Sequence, residues 1–167
     1  MADLTARSPA EGLLPQTIGQ CALTEEWPEA ITALSALSDG ADLPAPGETA
    51  TQGEATLLWS GRRQAMAFGP VDPPNGTVGC DQTDAWCVMR LDGPDAADVL
   101  ARLTPLDLNP AILKPGHTAR SLLGHMNALF HRIGPNTFRI MVFRSMAASA
   151  VHEIERAMKG VAARRDA

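Results

Sequence analysis

Apolar residues recur along this chain at two spacings, and the densest patterning lies between Thr77 and Ser145. From Thr83 to Leu91 they occupy both parities, Ala85, Cys87, Met89 and Leu91 against Trp86 and Val88, as in a strand covered on both faces. TVGCDQTDAWCVMRLDG therefore reads as one extended run ending at a glycine. The segment PDAADVLARLTPLDL, opened by Pro94, sets Ala96, Val99, Leu100 and Leu103 at i, i+3, i+4 and i+7. Asp95 and Asp98 fall near the positive end of that predicted helix. His117–Ser145 reads as a long hairpin turning at Gly134-Pro135-Asn136, with Phe138, Ile140 and Val142 on one face and Met141 and Phe143 on the other. Ser145 suits the N-cap of a closing helix whose stripe is Ala147, Val151, Ile154, Met158 and Val161. Arg164 and Arg165 sit at its negative pole.

The earlier part of the chain is patterned more weakly. Residues 1–16 (MADLTARSPAEGLLPQ) read as an extended arm with Leu13-Leu14 as an anchor. Thr17–Thr24 is a strand candidate. Glu29–Leu37 carries Ile31, Leu34 and Leu37 at helical spacing after Pro28, so a helix is expected there. DGADLPAPGETATQGE is a linker, Ala55–Trp59 and Gln64–Phe68 are strands around a Ser60–Arg63 turn, and VDPPNG is too short and Pro-rich for a helix. The expected fold is α+β, a mostly antiparallel sheet with helices on one side in split βαβ units. It divides into an arm (1–16), a small first lobe (17–76) and a main lobe (77–167).

Composition narrows the function classes. At 45% hydrophobic over 167 residues the chain can bury a core, while the absence of Tyr weakens any aromatic-cage or base-stacking role. No apolar run nears the ~20 residues of a membrane span and no leader is evident, so no membrane association and a cytoplasmic location are expected. Five basic and sixteen acidic residues precede Ile112, against nine and three from there on. The basic residues are dispersed, which argues against nucleic acid and for a charge-complementary protein partner.

Candidate chemistry is sparse. His125 and His131 share strand parity but lie about 20 Å apart at ~3.3 Å per residue, and His117 and His152 are elsewhere, so all four read as surface or edge histidines and no metal is expected. Cys80 and Cys87 have opposite parity, would also be ~20 Å apart on one strand, and read as buried small hydrophobes. No GxSxG, GxGxxG or GxxxxGK[ST] motif is present. Asp81 and Asp84 are expected to brace the start of a strand and Asp107 to hold an Asx turn. Arg120 and Arg144, on the hairpin strands away from the turn, can each pair with a carboxylate of this chain or of a partner.

Taken in order, DQTDAW, RLDGPDAADVLARLTPLDLNP, LKPGHTARSLLGH and FRIMVFRSMA resemble the gamma subunit of heterotetrameric sarcosine oxidase. That family includes the matching small subunit of N-methylglutamate dehydrogenase. LTARSPAEGLLP and LPAPGETA extend the resemblance over most of the chain; the abbreviated connection from Gly69 to Gly79 departs from it. The family is similar in fold to the folate-binding domain of the glycine-cleavage aminomethyltransferase, whose working members carry Gly-Gly-x-x-acidic-acidic on the hairpin. The corresponding LGHMNA has Asn127 and Ala128 in place of the acids. The resemblance thus implies a non-catalytic subunit with no catalytic, cofactor-binding or metal-binding residues; in such a subunit Arg120, Arg144 and His125 are the candidate residues for a subunit interface. FAD, FMN, NAD, zinc and tetrahydrofolate are expected on the partner alpha, beta and delta subunits of a complex that oxidatively demethylates sarcosine. The alternatives are the N-methylglutamate dehydrogenase small subunit and a free-standing folate-binding one-carbon protein.

Overall fold

The computed structural model describes residues 6–165, which form two antiparallel sheets and two helices. In chain order the strands are β1 (Gln16–Ile18), β2 (Cys21–Glu26), β3 (Ile31–Ala36), β4 (Thr49–Gln52), β5 (Ala55–Gly61), β6 (Gln64–Phe68), β7 (Thr77–Asp81), β8 (Trp86–Asp92), β9 (Thr118–Leu123), β10 (Met126–Gly134) and β11 (Thr137–Phe143). Helix α1 (Ala96–Leu100) follows β8, and α2 (Ala147–Arg165) closes the chain. The larger sheet has the order β1-β2-β8-β11-β10-β9 and the smaller β4-β5-β6-β3-β7. β8 and β10 run parallel with β11 between them, with both α1 and β9 in the connection; the expected α+β fold, mostly antiparallel sheet with helices on one side, is present.

The two apolar parities of β8 and β11 serve two different cores, because successive side chains of a strand point to opposite faces. Cys87, Met89, Leu91, Phe138, Ile140 and Val142 pack with Val99, Leu100, Val151, Ile154 and Met158 under the helices. Val88 and Met141 point the other way and join Leu129 with Ile31, Leu58 and Met66 of the smaller sheet. Both faces of the larger sheet are therefore covered, by helices on one side and a sheet on the other.

Several local expectations are corrected. Glu29–Leu37 forms β3, not a helix, hydrogen-bonded to β6 on one edge and β7 on the other. Its three-residue spacing puts Ile31 into the inter-sheet core and Leu34 into the outer core of the smaller sheet, while Leu37 stays 69% exposed. One apolar residue on each face of a strand imitates half a helical stripe. Thr17–Thr24 turns back at Gly19-Gln20 to make β1 and β2, with Gly19 at φ 57°. The long hairpin is a three-stranded meander, because Gly124 at φ 59° allows a second reversal between β9 and β10. The run from Thr77 to Leu91 breaks at Gln82–Ala85, where Asp81 Oδ1 accepts bonds from the Thr83 N–H (2.9 Å) and hydroxyl (2.7 Å) and the chain crosses between sheets. α1 ends at Leu100, well short of Leu108.

The sheets draw on both sides of residue 76: β1 and β2 belong to the larger sheet and β7 to the smaller. Of the N-terminal arm, residues 1–5 lie outside the described part. Residues 8–13 form turns, with Ala10 buried and its N–H donating to Glu25 Oε1 at 3.1 Å. Leu14 packs on the helix-side core and Leu13 is exposed.

The irregular segment from Leu103 to His117 is held by a buried arginine. Arg132, 4% exposed, donates to the carbonyls of Leu108 (2.9 Å), Leu113 (3.0 Å), Gly134 (3.3 Å) and Pro135 (2.5 Å) and lies over the Phe138 ring. Spreading the guanidinium over carbonyls satisfies the charge and four backbone acceptors together.

The turn after β8 is tied to the turn after β1 by close approach. Gly93 has φ +135°, and a Cβ there would lie 2.0 Å from the Gln20 carbonyl oxygen, whereas a Cβ at Gly124 would meet open space. Gly93→Ala should therefore abolish the cooperative urea transition or lower its midpoint severely. Gly124→Ala should lose only about 1–2 kcal/mol of stability, through added backbone strain. Equal urea midpoints for the two variants would contradict this packing.

Candidate functional site

The face of the larger sheet turned toward the smaller one carries the polar groups of interest in rows set by strand register. Thr118, His131, Arg139, Arg90 and Thr24 are successive cross-strand neighbours. The next row is Arg120, Leu129, Met141, Val88 and Glu26. One further step brings Leu122 and Asn127 together on one side and Phe143 and Trp86 together on the other.

Over the last two rows, between the sheets, lies a cavity of about 130 Å³. Ala33 and Met66 of the smaller sheet and Leu129 of the larger form its apolar walls, with Trp86 and Phe143, stacked at 4.8 Å between centroids, at its edge. Its polar lining is Ser35, Ser60, Gln64, Arg120 and Asn127; no aspartate or glutamate lines it. Asn127 and Ala128, the positions where related enzymes were expected to carry acids, both line this cavity. Its volume is well below the ~300–1,000 Å³ of ordinary small-molecule sites.

The three residues marked for an interface gather at this same end of the larger sheet without touching one another. Arg120 projects from β9 to the cavity and reaches the Ser60 carbonyl at 3.5 Å. Arg144 lies just past β11, in a 3-10 turn (Arg144–Met146), and donates to the carbonyl of Arg7. His125 is exposed in the β9–β10 turn, in a shallow depression shared with Met146 and Glu153.

Sequence reasoning missed the buried charges of the adjoining row. His131 is 7% exposed, not a surface histidine, and burial followed by the charge of Arg139 pushes its pKa down to about 4. Arg139 Nη1 approaches His131 Nδ1 at 3.3 Å, its Nε donates to Glu26 Oε2 at 2.5 Å, and its guanidinium lies 3.8 Å from the Phe68 ring centroid. The group thereby joins β2, β10 and β11 to β6 of the facing sheet. The 131–139 pairing was legible from the turn at 134–136; Glu26 and Phe68 are separated from it by long stretches of chain and were not.

Other singled-out residues are structural in placement. Cys87 is buried, its thiol pushed up to about 12 by burial and the nearby Glu25, while Cys80 is exposed on the edge strand β7 and so is not the buried hydrophobe expected. Asp107 accepts the Asn109 N–H at 2.9 Å, the expected Asx turn. Asp95, which sequence reading had placed only at a helix start, is buried and paired with Arg165 of α2. Among the described residues no group of three or more His, Cys, Asp or Glu could hold a metal ion, and no helix is long and apolar enough to cross a membrane.

No protein-family model matches this sequence, and no curated protein does. Among solved structures the chain is similar to a chain of the heterotetrameric sarcosine oxidase from Corynebacterium sp. U-96 in complex with pyrrole 2-carboxylate. The two share 23% identity over 94% of this chain and 96% of that one, with a TM-score of 0.80. At that identity the likeness establishes a common fold, essentially end to end.

The depressed pKa of His131 has a defined consequence for stability. The unfolded chain, with His near 6.5, binds the proton first as pH falls, so stability is present above pH 6.5 and lost toward pH 4. Between pH 7 and pH 5 the loss should be roughly 2 kcal/mol. Urea unfolding at the two pH values checks this. His131→Gln should flatten the decline; an equal decline in the variant would place the titrating group elsewhere.

Proposed function

We propose that this chain is a non-catalytic gamma-type subunit of a heterotetrameric, flavin-dependent sarcosine oxidase complex. The observation that carries the reading is the fold shared over 94% of this chain and 96% of a chain of such a complex. The ordered motifs from Asp81 to Ser145 point the same way. The cleft supports the absence of chemistry in this subunit. Asn127 and Ala128 can neither take a proton at neutral pH nor balance a cationic ring, and the small cavity supplies no other carboxylate. In this reading FAD, FMN, NAD, zinc and tetrahydrofolate are held by the alpha, beta and delta subunits, which carry out the oxidative demethylation. This chain docks and orders them.

The test is co-production with large flavin-dependent subunits of a sarcosine oxidase-type complex from the same source. The chain should co-purify with them, and alone it should be colourless, inactive and show no micromolar heat of binding to tetrahydrofolate. A yellow or active isolated chain, or failure to associate with any of the large subunits, would overturn the assignment.

A further inference from the structure

The smaller sheet stops short of covering the larger one. The row that includes Leu122, Asn127 and Phe143 emerges from beneath it, leaving Leu122 41% and Phe143 43% exposed. Leu122 and Phe143 form the apolar strip of this row; Met146, 42% exposed, lies in the 3-10 turn after Phe143 and lines a separate depression with His125 and Met126. The cavity opens beside the strip and shares Asn127 and Phe143 with it. Exposed apolar surface that is contiguous, rather than scattered, marks an interaction site.

Cavity size and charge select the occupant. An apolar cavity of about 150 Å³ holds a benzene molecule, so the ~130 Å³ here accommodates one Leu- or Phe-sized side chain and nothing larger. Arg120 is the one charged residue in the lining, and it has no carboxylate partner among the described residues. Arg144 adds a second cation beyond Phe143. An isologous pairing of two copies would set this arginine-flanked patch against itself, and like charges across an interface are costly.

We propose that this open end of the inter-sheet cleft is the docking surface for a segment of a partner subunit. That segment inserts one large apolar side chain beside the Trp86–Phe143 stack and presents a carboxylate to Arg120. The proposal rests on the subunit reading above and adds the place and chemistry of the contact. A buried apolar anchor surrounded by charge-complementary rim groups is the arrangement that dominates binding energy in protein interfaces.

Titration calorimetry of this chain against the purified large flavin-dependent subunits tests it. Ser35→Leu, on the β3 face that turns toward the larger sheet, should fill the cavity; Arg120→Glu reverses the charge at its lip. Each should weaken association by about tenfold or more. Ile112→Glu, an exposed residue outside the patch, should leave it within about twofold. Urea midpoints establish that the variants are folded, and Phe143→Ser, at an exposed position, replaces Ser35→Leu should the latter not fold. If wild-type protein binds and the patch variants bind equally well, the docking surface is wrong while the subunit reading stands. If wild-type protein binds none of the large subunits, the subunit reading itself falls. Self-association in sedimentation, abolished by the same variants, would make a second copy the occupant and overturn the proposal.

Discussion

A central pair of strands apolar on both faces is the constraint on which the rest depends. β8 and β11 lie side by side in the larger sheet with Cys87, Met89, Ile140 and Val142 turned to the helices and Val88 and Met141 turned to the smaller sheet. Full burial of a side chain of this size contributes about 1.5–3 kcal/mol, so leaving either face open would forfeit several such contributions in a fold of marginal stability. The helices cover one face together with Leu108 and Leu113 of the following segment and Ala10 and Leu14 of the N-terminal arm. The other requires the five-stranded sheet, and the chain reaches it by crossing over at Asp81–Ala85.

Charged groups enter this interior only where the fold gives each a partner. Arg132 is spread over four carbonyls of two loops, Arg139 is clamped between Glu26, His131 and Phe68, and Asp95 is paired with the last turn of α2. Removing one member of such a set leaves a buried charge or acceptor without compensation. The cleft differs: its one arginine, exposed at the lip and bonded to the Ser60 carbonyl, has no acid across from it among the described residues. Groups inside the fold are matched by the fold, whereas the proposed docking gives the Arg120 charge a partner from outside it.

The legible parts of the sequence were those in which one local period served one surface. The α2 stripe is a single helical period facing a single core, and β11 alternates cleanly about a turn whose residues announce themselves, so both stand where expected. Asn127 and Ala128 were marked on the hairpin through the resemblance of LGHMNA; that they line a cleft is visible only in the fold. Ile31 and Leu34 misled, since each belongs to a different core and only the pairing with β6 and β7 reveals that. Gly124 and Gly19 looked like ordinary strand glycines; their reversals depend on positive φ, which the hydrophobic pattern does not encode. The cavity itself was invisible because its walls come from seven strands of the two sheets, and its depth is set by where the smaller sheet ends.

The docking proposed for the uncovered rim of the cleft is open to a direct check. Amide hydrogen exchange of the chain alone and within the assembled complex tests it most directly. Exchange should slow on assembly at residues 122–127 and 143–146, around the cleft mouth. Slowing confined to the outer face of α2, with those two segments unchanged, would contradict the account.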